Sequence, residues 1–143
     1  MNVDLLWPHR PLRELVMGGD ISYGVVQPGR SVEGGTPIVR VKDLDGGLID
    51  RREPMRVAPE VAARHGRTVL SGGELLVTVV GSVGETAVVP EDLAGWNVAR
   101  AIAVLRPTGA SPQWLSYCLQ SPGVRAAFDS MLNTTGDWSG GLG

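Results

Sequence analysis

The chain has 143 residues, of which 43% are hydrophobic and 20% charged, with a net charge of -2; this fits one compact domain with a real core and excludes general disorder and a protein that coats nucleic acid through charge alone. No apolar run approaches the ~20 residues of a membrane span, and the opening "MNVDLLWPHR" lacks a basic stretch followed by a long apolar core, so a cytoplasmic protein is the simplest reading. A single cysteine, Cys118, and two histidines, His9 and His65, exclude an internal disulfide and a cysteine- or histidine-rich zinc site.

No internal repeat is present. "PLRELVMGGDISYGVVQPG" passes from a short helical turn at Leu12 to Val16 into glycines and an extended "ISYGVV", followed by the turn-rich loop "QPGRSVEGG". "TPIVRVKDL" predicts a strand, because Ile38, Val39 and Val41 are β-branched; Arg40 and Lys42 then share one side of it, and "DGG" turns the chain. "PEVAARH" predicts a short helix opened by Pro59 and closed before Gly66. "LLVTVV" (75 to 80), "ETAVV" (85 to 89) and "NVARAIAVL" (97 to 105) predict three strands of an antiparallel meander, joined by "GSVG" and "PEDLAG".

In the third of these strands Ala99, Ala101 and Ala103 form a small face, and Val98, Arg100, Ile102 and Val104 a bulky one. Arg100 there is either a structural partner for a carboxylate or a donor presented to a ligand. Ser111-Pro112 then caps a helix with Trp114, Leu115, Cys118 and Leu119 on one face, and Cys118 is read as a packing residue. Ser121-Pro122 opens a second, with Val124, Ala127, Phe128, Met131 and Leu132 at helical spacing. The predicted fold is α+β, a mostly antiparallel twisted sheet or meander with short packed helices. One domain is expected over residues 1–132, followed by a Gly-rich, disordered or truncated tail over 133–143.

The chemistry-bearing motifs of common enzymes are missing from the sequence. "GSVGET" follows a strand but has no lysine and no helix after it, so it reads as a hairpin turn rather than a phosphate loop, with Ser82 a turn residue. Lys42 is the only lysine, which removes a D/E-x-K nuclease centre. A binding module that uses no cofactor and no metal is favoured over an enzyme.

Four blocks, "ISYGVVQPG", "PIVRVKDLDGGLID", "GGELLVTVVGSVGETAVVPEDLAGWNVARAIAVLRP" and "PQWLSYCLQSP", occur in this order from about Asp20 to Phe128. Together they resemble a target recognition domain from the specificity subunit of type I restriction-modification systems. The resemblance implies sequence-specific recognition of double-stranded DNA, with each recognition domain reading one half of a bipartite target. It also implies that methylation and motor or cleavage functions reside in separate partner subunits. Family members normally continue into a long spacer helix, so the ending "DSMLNTTGDWSGGLG" reads as truncated or out of frame, and a monomer is expected for the chain alone. Two alternatives stay open: a non-functional remnant, and the recognition domain of a fused methyltransferase-nuclease.

Under this resemblance the basic first half faces DNA. Residues 51 to 67 hold five arginines against two glutamates, whereas residues 71 onward hold three arginines against six acids. Gln27 and Arg30 are candidates for base reading, since arginine and glutamine make paired bonds to guanine and adenine. Arg40, Lys42, Arg51, Arg52 and Arg56 are candidates for DNA contact, the last three for positioning on phosphates. Tyr23 and Arg100 complete the expected surface, although both also have packing or fold-maintaining readings. Asn97 is expected to bond the turn before its strand, and Trp96 to cover the core edge.

Overall fold

The computed structural model describes residues 12–17, 21–81 and 83–135. Nine strands are described: β1 (Ser22–Tyr23), β2 (Thr36–Val39), β3 (Leu44–Asp45), β4 (Leu48–Ile49), β5 (Met55–Val57), β6 (Leu75–Thr78), β7 (Thr86–Val88), β8 (Asn97–Val98) and β9 (Ile102–Leu105). Three α-helices accompany them: α1 (Pro59–Ala63), α2 (Pro112–Gln120) and α3 (Pro122–Thr135). The strands form a four-stranded sheet in the order β1-β9-β6-β7, a three-stranded sheet in the order β5-β2-β8, and the small hairpin β3-β4. The α+β class is borne out. The strands pair antiparallel except β2 with β8, which are parallel, and a single parallel bridge joins Val25 to Ala99.

Side-chain alternation along the strands arranges the layers. On one face of the four-stranded sheet Leu75, Val77, Ala103 and Leu105 pack against Leu115 and Leu119 of α2. On the other, Leu76, Ala87, Ile102 and Val104 meet Val39 and Val98 of the three-stranded sheet, together with Leu44, Leu70 and Leu93. The far face of the three-stranded sheet buries Val25, Ile38 and Val57 against Ala62 of α1. With apolar layers on both sides, every residue of β6 and β9 is buried, so these strands read as continuous apolar runs.

Helix ends follow local chemistry. Ser111 caps α2 by accepting a hydrogen bond from the Trp114 N–H at 3.1 Å, with Pro112 at the first helical position; such a cap contributes about 1 kcal/mol. Ser116 on the buried side bonds Thr86 of β7 at 2.7 Å, and the Gln120 amide donates to the Thr86 hydroxyl at 2.9 Å, tying α2 to the sheet through polar as well as apolar contacts. Trp114 departs from the expected apolar face: it is 54% exposed, while Leu115 and Leu119 carry the packing and Cys118 is half-buried. α3 continues to Thr135, beyond the start of the expected tail. Residues 136–143 and Ser82 lie outside the described residues, as do the side chains of Phe128, Met131 and Leu132.

Two expectations are corrected. The strand expected through "TPIVRVKDL" ends at Val39, and Val41–Asp43 is a turn of 3-10 helix, so Arg40 and Lys42 do not share a strand side. The reason is local: the Asp43 carboxylate accepts from the Arg40 backbone N–H at 2.9 Å and draws the chain into the turn. The strand expected over 97 to 105 is two strands in two sheets, broken at Ala99 to Ala101. β8 leaves beside β2, and β9 enters beside β6 rather than beside β7, so β6, β7 and this segment are not a simple meander.

Candidate nucleic-acid interface

Arg100 lies in that sheet-to-sheet bend, exposed, instead of on a strand face. Its backbone N–H donates to the Val25 carbonyl at 3.0 Å, and the Val25 N–H donates to the Val98 carbonyl at 2.8 Å. The bend is thereby held beside the start of the loop that carries Gln27 and Arg30, both exposed. Arg30 and Arg100 have no ion pair among the described residues. The loop itself is anchored at its far end: Val32 N–H donates to the Arg56 carbonyl at 2.9 Å, and the Arg56 guanidinium donates to the Gly35 carbonyl at 3.1 Å. Arg56 is therefore a strap on the loop.

Arg40, Arg51 and Arg52 face acids. The Arg40 guanidinium makes a two-point pair with the buried Asp43 carboxylate, at 2.9 and 3.0 Å, and a further bond to the Glu53 carbonyl at 3.0 Å. These bonds to Asp43 push the Arg40 pKa further up. Arg52 pairs with Asp50 at 3.0 and 2.8 Å, and Arg51 pairs with Asp92. Arg52's side-chain and backbone bonds hold the Asp50 carboxyl well below the usual carboxylate range. Arg40, Lys42 and Arg52 surround a depression of about 340 Å³ that Asp43, Asp50 and Glu53 also line, so its formal charge cancels. Lys42 is exposed there without an ion pair among the described residues.

A second cleft, of about 280 Å³, has a different balance. Ile21, Ser22 and Tyr23 of the β1 segment face Arg64, His65, Arg67 and Thr68, and among the described residues lining it none is a carboxylate. Tyr23 thus joins two arginines that the sequence reading counted in the basic excess without singling them out. A signal for them existed, since no acidic residue occurs from Val61 to Gly73.

The turn carrying these arginines is fixed from behind. The His65 carbonyl accepts from the Thr68 N–H at 3.2 Å, the Thr68 hydroxyl at 3.1 Å and the Asn97 amide at 3.0 Å. Asn97, fully buried, also accepts from the Thr68 hydroxyl at 2.6 Å and the Val98 N–H at 2.8 Å. Apart from the neighbouring Val98 N–H, its partners lie on this distant turn, and not on the turn before its own strand as expected. Trp96 is partly buried against the inter-sheet core, as expected. Among the described residues no cluster of histidine, cysteine or carboxylate side chains could hold a metal, and no helix is long and apolar enough to cross a membrane.

The fold is an α+β arrangement of two stacked sheets, and it matches part of a solved HsdS subunit. A crystal structure of the HsdS subunit from Thermoanaerobacter tengcongensis superposes with a TM-score of 0.52 over 83% of this chain, at 21% sequence identity. The sequence is 34% identical over 104 residues to the type I restriction enzyme EcoBI specificity subunit of Escherichia coli, a match covering 71% of this chain. The chain is homologous to a segment of that type I specificity subunit, and it fits a target recognition domain. It spans 22% of the length of the Escherichia coli relative and 28% of the Thermoanaerobacter chain. No family model matches the chain.

Proposed function

We propose that this chain is a DNA-recognition domain of a type I restriction-modification specificity subunit and that it reads one half of a bipartite duplex target. The observation that carries the reading is the 34% identity to a specificity subunit over 71% of the chain. In this reading the domain performs no chemistry; methylation and cleavage belong to partner subunits. Gln27 and Arg30 read bases from the loop after β1, and Arg100 reaches the same site from the bend, all three being exposed. Lys42 contributes a phosphate contact. Arg51 and Arg52 do so by exchanging an exposed carboxylate for a phosphate, since solvent-screened surface pairs are weak. Arg40 and Arg56 hold the loops, Arg40 through the buried Asp43 carboxylate and Arg56 through the Gly35 carbonyl.

Selection from a random duplex pool tests the proposal. A short asymmetric motif should be enriched, and Arg30→Ala should relax preference at one position by about 1–3 kcal/mol. A cooperatively folded chain that enriches nothing, alone or with the methylation subunits, would overturn it.

A further inference from the structure

The basic run of the sequence and the basic surface of the fold are not the same place. Arg40, Arg51 and Arg52 are paired with Asp43, Asp92 and Asp50. Arg64, at the C-terminal end of α1, is exposed and has no ion pair among the described residues. It shares a cleft with Arg67, His65 and Tyr23.

We infer that this cleft, with Arg64 and Arg67 as its cationic groups, is where the domain grips the phosphate backbone of its duplex; the inference rests on the DNA reading above. Three features assign phosphate rather than base contact. Both arginines stand on a short helix and 3-10 turn whose backbone is clamped through the His65 carbonyl by Thr68 and by the fully buried Asn97, so little order has to be imposed on binding. A rigid framework element suits a contact that is the same for every sequence, whereas the loop of Gln27 and Arg30, with no regular structure, suits one that varies. The cleft also adjoins that loop along the chain: β1 lines it at Tyr23, and Gln27 follows four residues later.

Asn97 is a positioning residue in this arrangement. Asn97, which opens β8, reaches across to the basic turn and fixes its carbonyl, which connects the apolar block after it to the proposed contact.

Binding of the unaltered chain, R64A/R67A and R51A/R52A should be measured over a range of salt, on an unrelated duplex and on the selected one. R64A/R67A should lower affinity for both duplexes by the same factor and reduce the slope of log affinity against log salt by about 2, because each lost phosphate contact removes about 0.9. R64A alone should reduce the slope by about 1, and R51A/R52A, both paired with carboxylates, by less per arginine. Single Arg64→Glu, at an exposed position that leaves the fold intact, should weaken binding to both duplexes further than Arg64→Ala. A folded R64A/R67A variant with the original affinity and slope would overturn the cleft while leaving the DNA reading in place. Failure of the unaltered chain to bind any duplex would overturn both.

Discussion

Asp50 and Arg52 show what a charge on this surface does at rest. Two side-chain bonds and a backbone N–H from Arg52 stabilise the Asp50 carboxylate, which lowers its pKa in the folded chain. The stabilisation is present above the ordinary aspartate value of about 3.9 and disappears as pH falls through the lower folded value. In a carboxyl NMR titration the Asp50 midpoint should therefore lie below that of an unpaired aspartate and return toward it in Arg52→Ala; an unchanged midpoint in the variant would remove Arg52 as the cause. The sequence showed the arginines of this segment but not their partners. Asp50 and Asp43 are close in sequence to Arg52 and Arg40, yet Asp92 reaches Arg51 only through the fold. Counting charge along the chain consequently could not separate the paired Arg51 and Arg52 from Arg64, which has no ion pair among the described residues.

At the scale of elements, turn chemistry and helix ends were the most legible features. Ser111-Pro112 and Pro59 open helices where expected, and "DGG" makes the β3-β4 hairpin with Gly46 and Gly47 at positive φ. The division of residues 97 to 105 was hidden for a physical reason. Val98 and Ile102 are in different sheets but both face the core between those sheets, so the two-residue alternation runs unbroken across the bend. Close approach at that bend is set by Gly24, where a Cβ would stand 2.0 Å from the Val98 carbonyl oxygen and 2.6 Å from that of Ala99. Gly24→Ala should cost about 3 kcal/mol in chemical denaturation, near the upper end for overpacking. Gly29→Ala, at φ +72 in open space, should cost only about 1 kcal/mol. Similar losses in the two variants would mean that the β1 segment does not depend on this contact.

Across the whole molecule, the α+β class and the stacked apolar layers follow from composition and alternation, while the strand order does not. Which strands pair is decided by contacts far apart in sequence, such as Ser22 with Val104 or Leu75 with Leu105, and neighbouring segments alone suggested a meander. The candidate interface shares this origin. Tyr23, Arg64 and Arg67 meet only because β1 is paired to β9 at one end of the chain's path while Asn97 clamps the turn after α1.

The parallel pairing of β2 with β8 has a kinetic corollary. Val39 and Val98 are separated by roughly sixty residues of chain, a loop whose closure must precede any reward from the contact. β2 and β5 can form their hairpin early, but one side of β2 waits for β8. Completion of this sheet is thus a late event in folding, and its loss should be felt on the way out rather than on the way in. Val98→Ala, fully buried, should cost about 2 kcal/mol and accelerate unfolding by roughly thirty-fold while leaving the refolding rate nearly unchanged in stopped-flow measurements. A slowed refolding limb would instead put this pairing in the folding nucleus. With late closure, the turn bearing Arg64 and Arg67, which Asn97 of β8 clamps, acquires its final position only when folding is nearly complete.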